Sequence, residues 1–222
     1  MGIRAPLIMS LLIIAAMLAV TVWVWPHVAN DTPLAVHWGL DNQPNGFASK
    51  GFALLLLPGM AGALTVLFAF LLPPLMGRET FAQNAAAYEV GWVGAVALLA
   101  VCHVMIVMAA RGYRPDVAGN ATFAVGLLLT VVGNFLGRTR PNPFVGIRTY
   151  WTLRSDYSWE KSNRALGRMF VATGLVTLAS LAVAGRLIAM IVLLVGALGS
   201  AVASIALSYM YWKNDPERAA HP

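Results

Sequence analysis

The chain has 222 residues, of which 59% are hydrophobic and 11% charged, with a formal net charge of +6. Soluble domains carry about 25% charged residues, so this composition excludes an ordinary water-soluble domain. The single cysteine, Cys102, excludes a disulfide framework and a cysteine-based metal centre.

Six apolar stretches, at about 6–25, 53–72, 88–110, 118–137, 168–184 and 187–211, are candidates to cross a membrane. A crossing needs roughly 20 apolar residues for a hydrocarbon core of about 30 Å. The fifth stretch is short and is expected to borrow its first turn from the charged segment before it. The predicted fold class is all-α: a polytopic integral membrane protein of about six transmembrane helices. Three regions are expected: 1–75, two helices with a loop between them; 76–132, the middle spans; and 133–222, a signature loop with the last two spans.

Arg4, Arg78, the seven basic residues of 138–168, Lys213 and Arg218 fall on one side of these spans. Lys50, Arg111, Arg114 and Arg186 fall on the other. The positive-inside rule then places both termini and the 138–168 loop in the cytoplasm, and residues 26–51 outside. The net charge is thus a topology signal, and direct nucleic-acid binding is not expected. Val24-Trp25-Pro26-His27 lacks a small-x-small cleavage site, so the first span reads as a signal anchor in a bacterial inner membrane.

In the loop after it, Pro33, Gly39, Pro44 and the Asn45-Gly46 pair are turn signals, with a short extended piece expected at Leu34–Trp38. Asn45-Gly46 is read as a tight turn, because both residues tolerate positive φ. Lys50 is expected at the mouth of the second span, with Trp23, Trp25 and Trp38 in an aromatic belt. His27, Asp31, His37 and Asp41 match no established metal-ligand spacing, so no metal or other cofactor is expected. Instead, His37 and Trp38 are read as packing the loop against helix ends.

The third span holds His103, an ionisable side chain deep in the bilayer. Such a group is by default a functional candidate, with a neutral imidazole bonded to a neighbouring helix as the competing reading. The fourth span ends in Gly133-Asn134-Phe135-Leu136-Gly137, where Gly133 and Gly137 allow close helix approach and Asn134 supplies an interhelical bond or a cap. Gly91, Gly94, Gly196, Gly199 and Ser200 are read as further packing positions.

Beyond it, Pro141 and Pro143 stop the helix. Tyr150-Trp151 suits the headgroup level, and Ser155 is a good N-cap with Asp156 in the first turn. Trp159, Leu166 and Phe170 share one helical face, with Lys161, Arg164 and Arg168 toward the other side. That pattern predicts an amphipathic helix on the inner leaflet before the fifth span.

Two stretches resemble a known family. Thr32-Pro33-Leu34-Ala35-Val36-His37-Trp38-Gly39, then Asn45-Gly46, Ser49-Lys50 and Pro58, resemble a two-helix domain of unknown function common in the SdpI immunity-protein family. Gly133-Asn134, Asn142, Phe144, Gly146-Ile147-Arg148-Thr149, Trp151-Thr152-Leu153, Trp159, Lys161, Arg164 and Gly167 resemble that family's C-terminal signature. Two positions depart from it: Ser162-Asn163 stands where the family has Thr-His, and Tyr150 replaces a common proline. The resemblance implies a protein that protects its host against a secreted antibacterial peptide toxin and recruits a cytoplasmic repressor.

The candidate binding residues are His37, Trp38, Lys50, His103, Asn134, Asn142, Arg148, Thr149, Trp151, Trp159 and Arg164, with Arg148 ranked first. No catalytic residue is expected, since no nucleophile–base pair or carboxylate cluster is visible. The alternative function is a small-solute or ion transporter or channel, with His103 and Asn134 in a polar path.

Overall fold

The computed structural model describes residues 2–217. Arg218, part of the charge asymmetry above, lies outside them. Helix α1 (Arg4–Val24) ends in a 3-10 turn at Trp25–His27, and an antiparallel hairpin follows, β1 (Leu34–Trp38) with β2 (Pro44–Ala48). Helix α2 (Lys50–Val66) runs on through a π-helical turn, Leu67–Leu71, into α3 (Leu72–Met76). Helices α4 (Arg78–Ala110), α5 (Val117–Leu136), α6 (Asp156–Val183) and α7 (Arg186–Lys213) complete the chain.

Six helical segments among the described residues are long and apolar enough to cross a membrane: Arg4–His27, Lys50–Met76, and α4 to α7. Their outward faces carry Leu12, Val22, Leu75, Val183 and Leu198, all exposed, as lipid-facing positions require. The chain is a multi-pass membrane protein. The π turn has a local cause: Pro73 and Pro74 lack the amide proton, and their rings clash with the carbonyls four residues back, at Ala69 and Phe70.

Three sequence expectations change. First, the Asn45-Gly46 pair lies within β2, not in the turn. The chain reverses at 39–43, where Asn42 takes a φ of 65°, Gly39 N–H donates to Gln43 O, and Asp41 accepts from Gln43 N–H. Gly46 is needed for another reason: a Cβ there would come within 2.9 Å of the His37 Cβ across the hairpin. Second, α4 begins ten residues before the expected 88, because Asn84, Ala85, Ala87 and Tyr88 are buried against protein. Third, α6 is one helix from Asp156, with no separate interfacial helix before the fifth span. Its polar face, with Ser158, Ser162 and Asn163, is turned inward and fully buried.

The chain forms two compact units. One takes Gly2–Leu71 and Trp92–Ala124; the other takes Leu72–Gly91 and the described residues from Val125 to Glu217. The expected middle region, 76–132, is thereby divided between them. In the first unit Val24, Val28, Leu34, Ala53, Leu54, Ile106 and Val107 form a core at the hairpin end of α1, α2 and α4. In the second, α5 and α6 cross on glycine: a Cβ on Gly133 would lie 2.7 Å from Gly167 O, and one on Gly167 2.5 Å from Gly133 O. Two turns along the same antiparallel seam, a Cβ on Gly174 would lie 2.4 Å from Gly126 O. Gly196 of α7 meets Thr173, whereas Gly91 and Gly199 have open space beside them and are not packing positions.

Candidate functional site

The hairpin is tied down at its base and at its tip. Lys50, the first residue of α2, is only 5% exposed. Its Nζ donates to Val28 O at 2.7 Å and to Asn30 Oδ1 at 3.0 Å, and it lies 4.8 Å from the centre of the Trp25 ring. The ammonium thus holds the chain leaving α1 against the start of α2. At the tip, Asn42 Nδ2 donates to Pro115 O at 2.9 Å, and Ala118 N–H donates to Asn42 Oδ1 at 3.2 Å. Trp38 packs on the apolar core, as expected. His37 does not: it is exposed and bonds Asn45 Oδ1 through Nδ1 at 2.5 Å. His27 bonds the Trp23 carbonyl.

His103 is fully buried where α1, α2 and α4 meet. Thr21 Oγ1 donates to Leu54 O at 3.2 Å and lies 3.1 Å from His103 Nε2, which is also 3.3 Å from Met17 O. With the threonine proton engaged, Nε2 carries the ring proton and donates to Thr21 Oγ1 and the Met17 carbonyl. The imidazole is thereby a three-helix staple.

Residues 138–155 are the most elaborately bonded non-helical segment of the second unit. They fold as a cap on the ends of α5, α6 and α7. Asn142, buried, donates through Nδ2 to Arg140 O (2.8 Å), Val145 O (2.9 Å) and Asn84 Oδ1 (3.3 Å). Its Oδ1 accepts from the amides of Phe144 (2.9 Å) and Val145 (2.6 Å). Asn84 Oδ1 also accepts from Arg140 N–H at 2.8 Å. Two prolines free several backbone groups here, and two asparagine side chains take them up.

The next turn rests on α6. Asn163 is fully buried; its Oδ1 accepts from Ile147 N–H at 2.7 Å and its Nδ2 donates to Trp159 O at 3.0 Å. Gly146, at φ +119°, passes so close that a Cβ would sit 2.5 Å from Asn163 Oδ1. Trp159 Nε1 donates to Thr139 O at 3.0 Å. Thr152 Oγ1 donates to Ile147 O and accepts from Thr149 N–H, both at 2.9 Å. Ser208 of α7 joins the cap to the helices: its Oγ lies 3.0 Å from Thr149 Oγ1, and its carbonyl accepts from Ser158 Oγ at 2.8 Å. Ser155 caps α6 as expected, accepting from Ser158 N–H, and donates to Asp215 Oδ2 at 2.5 Å.

Asn142, Thr149, Trp151 and Trp159 are therefore brought together, Trp151 through edge contact with Tyr209 at 5.2 Å. Arg148 is exposed, and its Nη1 donates to Pro143 O, a carbonyl in the stretch where the prolines break the helix. Arg164, largely exposed, pairs with Glu160, a contact worth about 0.5 kcal/mol. Asn134 is corrected: it lies on the exposed face of α5, and the contact with α6 is made by Gly133 beside it. Asn84 and Asn42 were not legible as site residues. Asn42 had a weak signal, an asparagine in a turn, and Asn84 had none.

Residues 138–208 match the model of the SdpI/YfhL protein family, and residues 12–62 match a domain of unknown function (DUF1648). Immunity protein SdpI of Bacillus subtilis (strain 168) is 21% identical over 206 residues, covering 93% of this chain and 95% of the relative. No solved structure matches. The SdpI/YfhL match contains the whole cap, all of α6 and most of α7, while the DUF1648 match contains the hairpin and Lys50.

Within the matched stretch 138–208 the ranking of side chains changes. Asn142→Ala leaves two amides and two carbonyls without their partner, and is expected to cost about 3 kcal/mol of stability. Arg148→Ala removes one exposed hydrogen bond and is expected to cost about 1 kcal/mol. Thermal unfolding of both purified variants checks the order. Equal losses would mean that Arg148 holds the cap as firmly as Asn142.

Proposed function

We propose that the chain is a membrane immunity protein, binding a secreted antibacterial peptide or similar ligand at the hairpin and signalling to a cytoplasmic repressor through the basic cap. The observation that carries this reading is the construction of the cap within the SdpI/YfhL match. Its buried polar side chains hold one backbone conformation, while Arg138, Arg140, Arg148, Arg154, Arg164 and Arg168 stay on the surface. A rigid segment with charged groups at its surface is suited to docking, and the reading involves no catalytic step.

The hairpin supports the ligand end. Leu40 and Phe47 are 73% and 58% exposed on a loop anchored by Lys50 and Asn42, so apolar contact surface is presented with little ordering left to do on binding. In this proposal the asymmetry of basic residues assigns the hairpin to the outside and the cap to the cytoplasm of a bacterial inner membrane. The transporter reading is less favoured, because Asn134 faces outward and His103 holds three helices together.

The test is survival of a sensitive bacterium expressing the chain, challenged with the peptide against which the Bacillus subtilis relative protects. Survival should rise at least ~10-fold, and a Leu40→Asp/Phe47→Asp variant should lose the gain at equal folded amount. In a Cys102→Ser background, cysteines at Leu40 and Leu153 should label from opposite sides of the membrane. No protection by the well-expressed chain sinks the immunity reading; labelling from one side sinks the two-sided model.

A further inference from the structure

The cap and the end of α7 share a set of aromatic rings that hydrogen bonding in the cap does not account for. Tyr150 meets Trp212 (6.4 Å between ring centres), Trp212 meets Tyr209 (6.1 Å), and Tyr209 meets Trp151 (5.2 Å). Tyr157 meets Tyr211 at 6.5 Å. Two cations lie on this collar: the Arg154 guanidinium 3.8 Å from the Tyr150 ring centre, and Lys161 Nζ 5.4 Å from that of Tyr157. Arg154 and Tyr150 are exposed, and neither Arg154 nor Lys161 forms an ion pair among the described residues.

From these contacts we infer that the collar is a binding surface for anionic phospholipid headgroups, with Arg154 stacked on Tyr150 as its principal phosphate ligand. A guanidinium stacked by its face keeps its N–H edge free, and that edge matches two phosphate oxygens. Tyrosine and tryptophan supply rings and donors at headgroup depth. The charge balance selects the lipid class: residues 138–168 hold seven Lys and Arg against Asp156 and Glu160. A net-negative lipid therefore gains attraction that a zwitterionic one does not.

The full chain is purified and its thermal unfolding followed with phosphatidylglycerol or phosphatidylcholine added. Phosphatidylglycerol should raise the midpoint by at least ~5 °C more than phosphatidylcholine. Arg154→Gln/Lys161→Gln should remove most of that difference, while Arg114→Gln, in the loop between α4 and α5, should keep it. Native mass spectrometry of the unmodified protein should show retained phosphatidylglycerol, and this readout stands if the double variant folds poorly. Equal shifts from both lipids, or an undiminished difference in the double variant, overturn the assignment. So does an equal shift from inorganic phosphate, which would mark a soluble-anion site. Arg154-dependent capture of an acidic protein without lipid preference would likewise replace the lipid with a protein partner.

Discussion

Gly146→Ala should cost about 3 kcal/mol or more, enough to deplete the folded protein. At φ +119° the backbone lies in a region essentially closed to residues with a Cβ, which alone costs about 1–3 kcal/mol. The new methyl would also meet Asn163 Oδ1 at 2.5 Å and the Trp159 ring at 3.2 Å. Neither neighbour can yield cheaply, since both are buried and hydrogen-bonded. Moving Asn163 frees the Ile147 amide, and moving Trp159 breaks its bond to Thr139. Thermal unfolding in detergent measures the loss, and a midpoint within about 2 °C of the unmodified chain would contradict the strained turn.

Gly167→Ala should be nearly as damaging, while Gly199→Ala should be neutral or gain up to about 1 kcal/mol. Both glycines are helical, so alanine improves intrinsic helix propensity at each. The difference is what the methyl meets. At Gly167 it lies 2.5 Å from the Gly133 carbonyl and 3.3 Å from the Gly137 amide nitrogen, so α5 and α6 must move apart; at Gly199 there is open space. Separating the helices weakens the whole seam, because membrane helices associate through close packing rather than hydrophobic exclusion. A loss of about 3 kcal/mol is expected, read as folded yield and unfolding midpoint side by side for the two variants. Equal behaviour of the pair would show that the close approach is not needed.

The spans were legible because hydropathy adds up over about 20 residues, so local ambiguities average out. Their ends were not, for a consistent reason. The first turns of α4 and α6 contain Asn84, Ser158, Ser162 and Asn163, which lower hydropathy and suggest an exit to water. They are in fact buried against other parts of the protein, which a scale of transfer into lipid does not represent. β1 was legible from Leu34-Ala35-Val36-His37-Trp38, but β2 was hidden by Asn45-Gly46, whose turn propensity is overruled by the Gly39–Gln43 reversal.

In the cap, the Ser155 N-cap was visible from local pattern alone, and the bonded partners of the cap were not. Asn142 gains its importance from Asn84, 58 residues earlier, and Thr149 from Ser208, 59 residues later. Arg148 looked singular because its charge stands out in a sequence, whereas hydrogen-bond connectivity does not.

Those separations impose an order on biogenesis. The hairpin tip is pinned once the Pro115 carbonyl and the Ala118 amide reach the Asn42 side chain, so that unit can settle while the ribosome is still working. The cap is different: Asn84 must keep its place for Arg140 and Asn142, and Ser155 finds its acceptor only when Asp215 emerges. At roughly 5–20 residues per second, about 3–12 s separate emergence of Ser155 from emergence of Asp215. Throughout that interval a strongly basic, aromatic-rich segment stands without its α7 partners. It is then a natural substrate for membrane-bound quality-control proteases, and variants that slow arrival or docking of α7 should show up first as lower abundance.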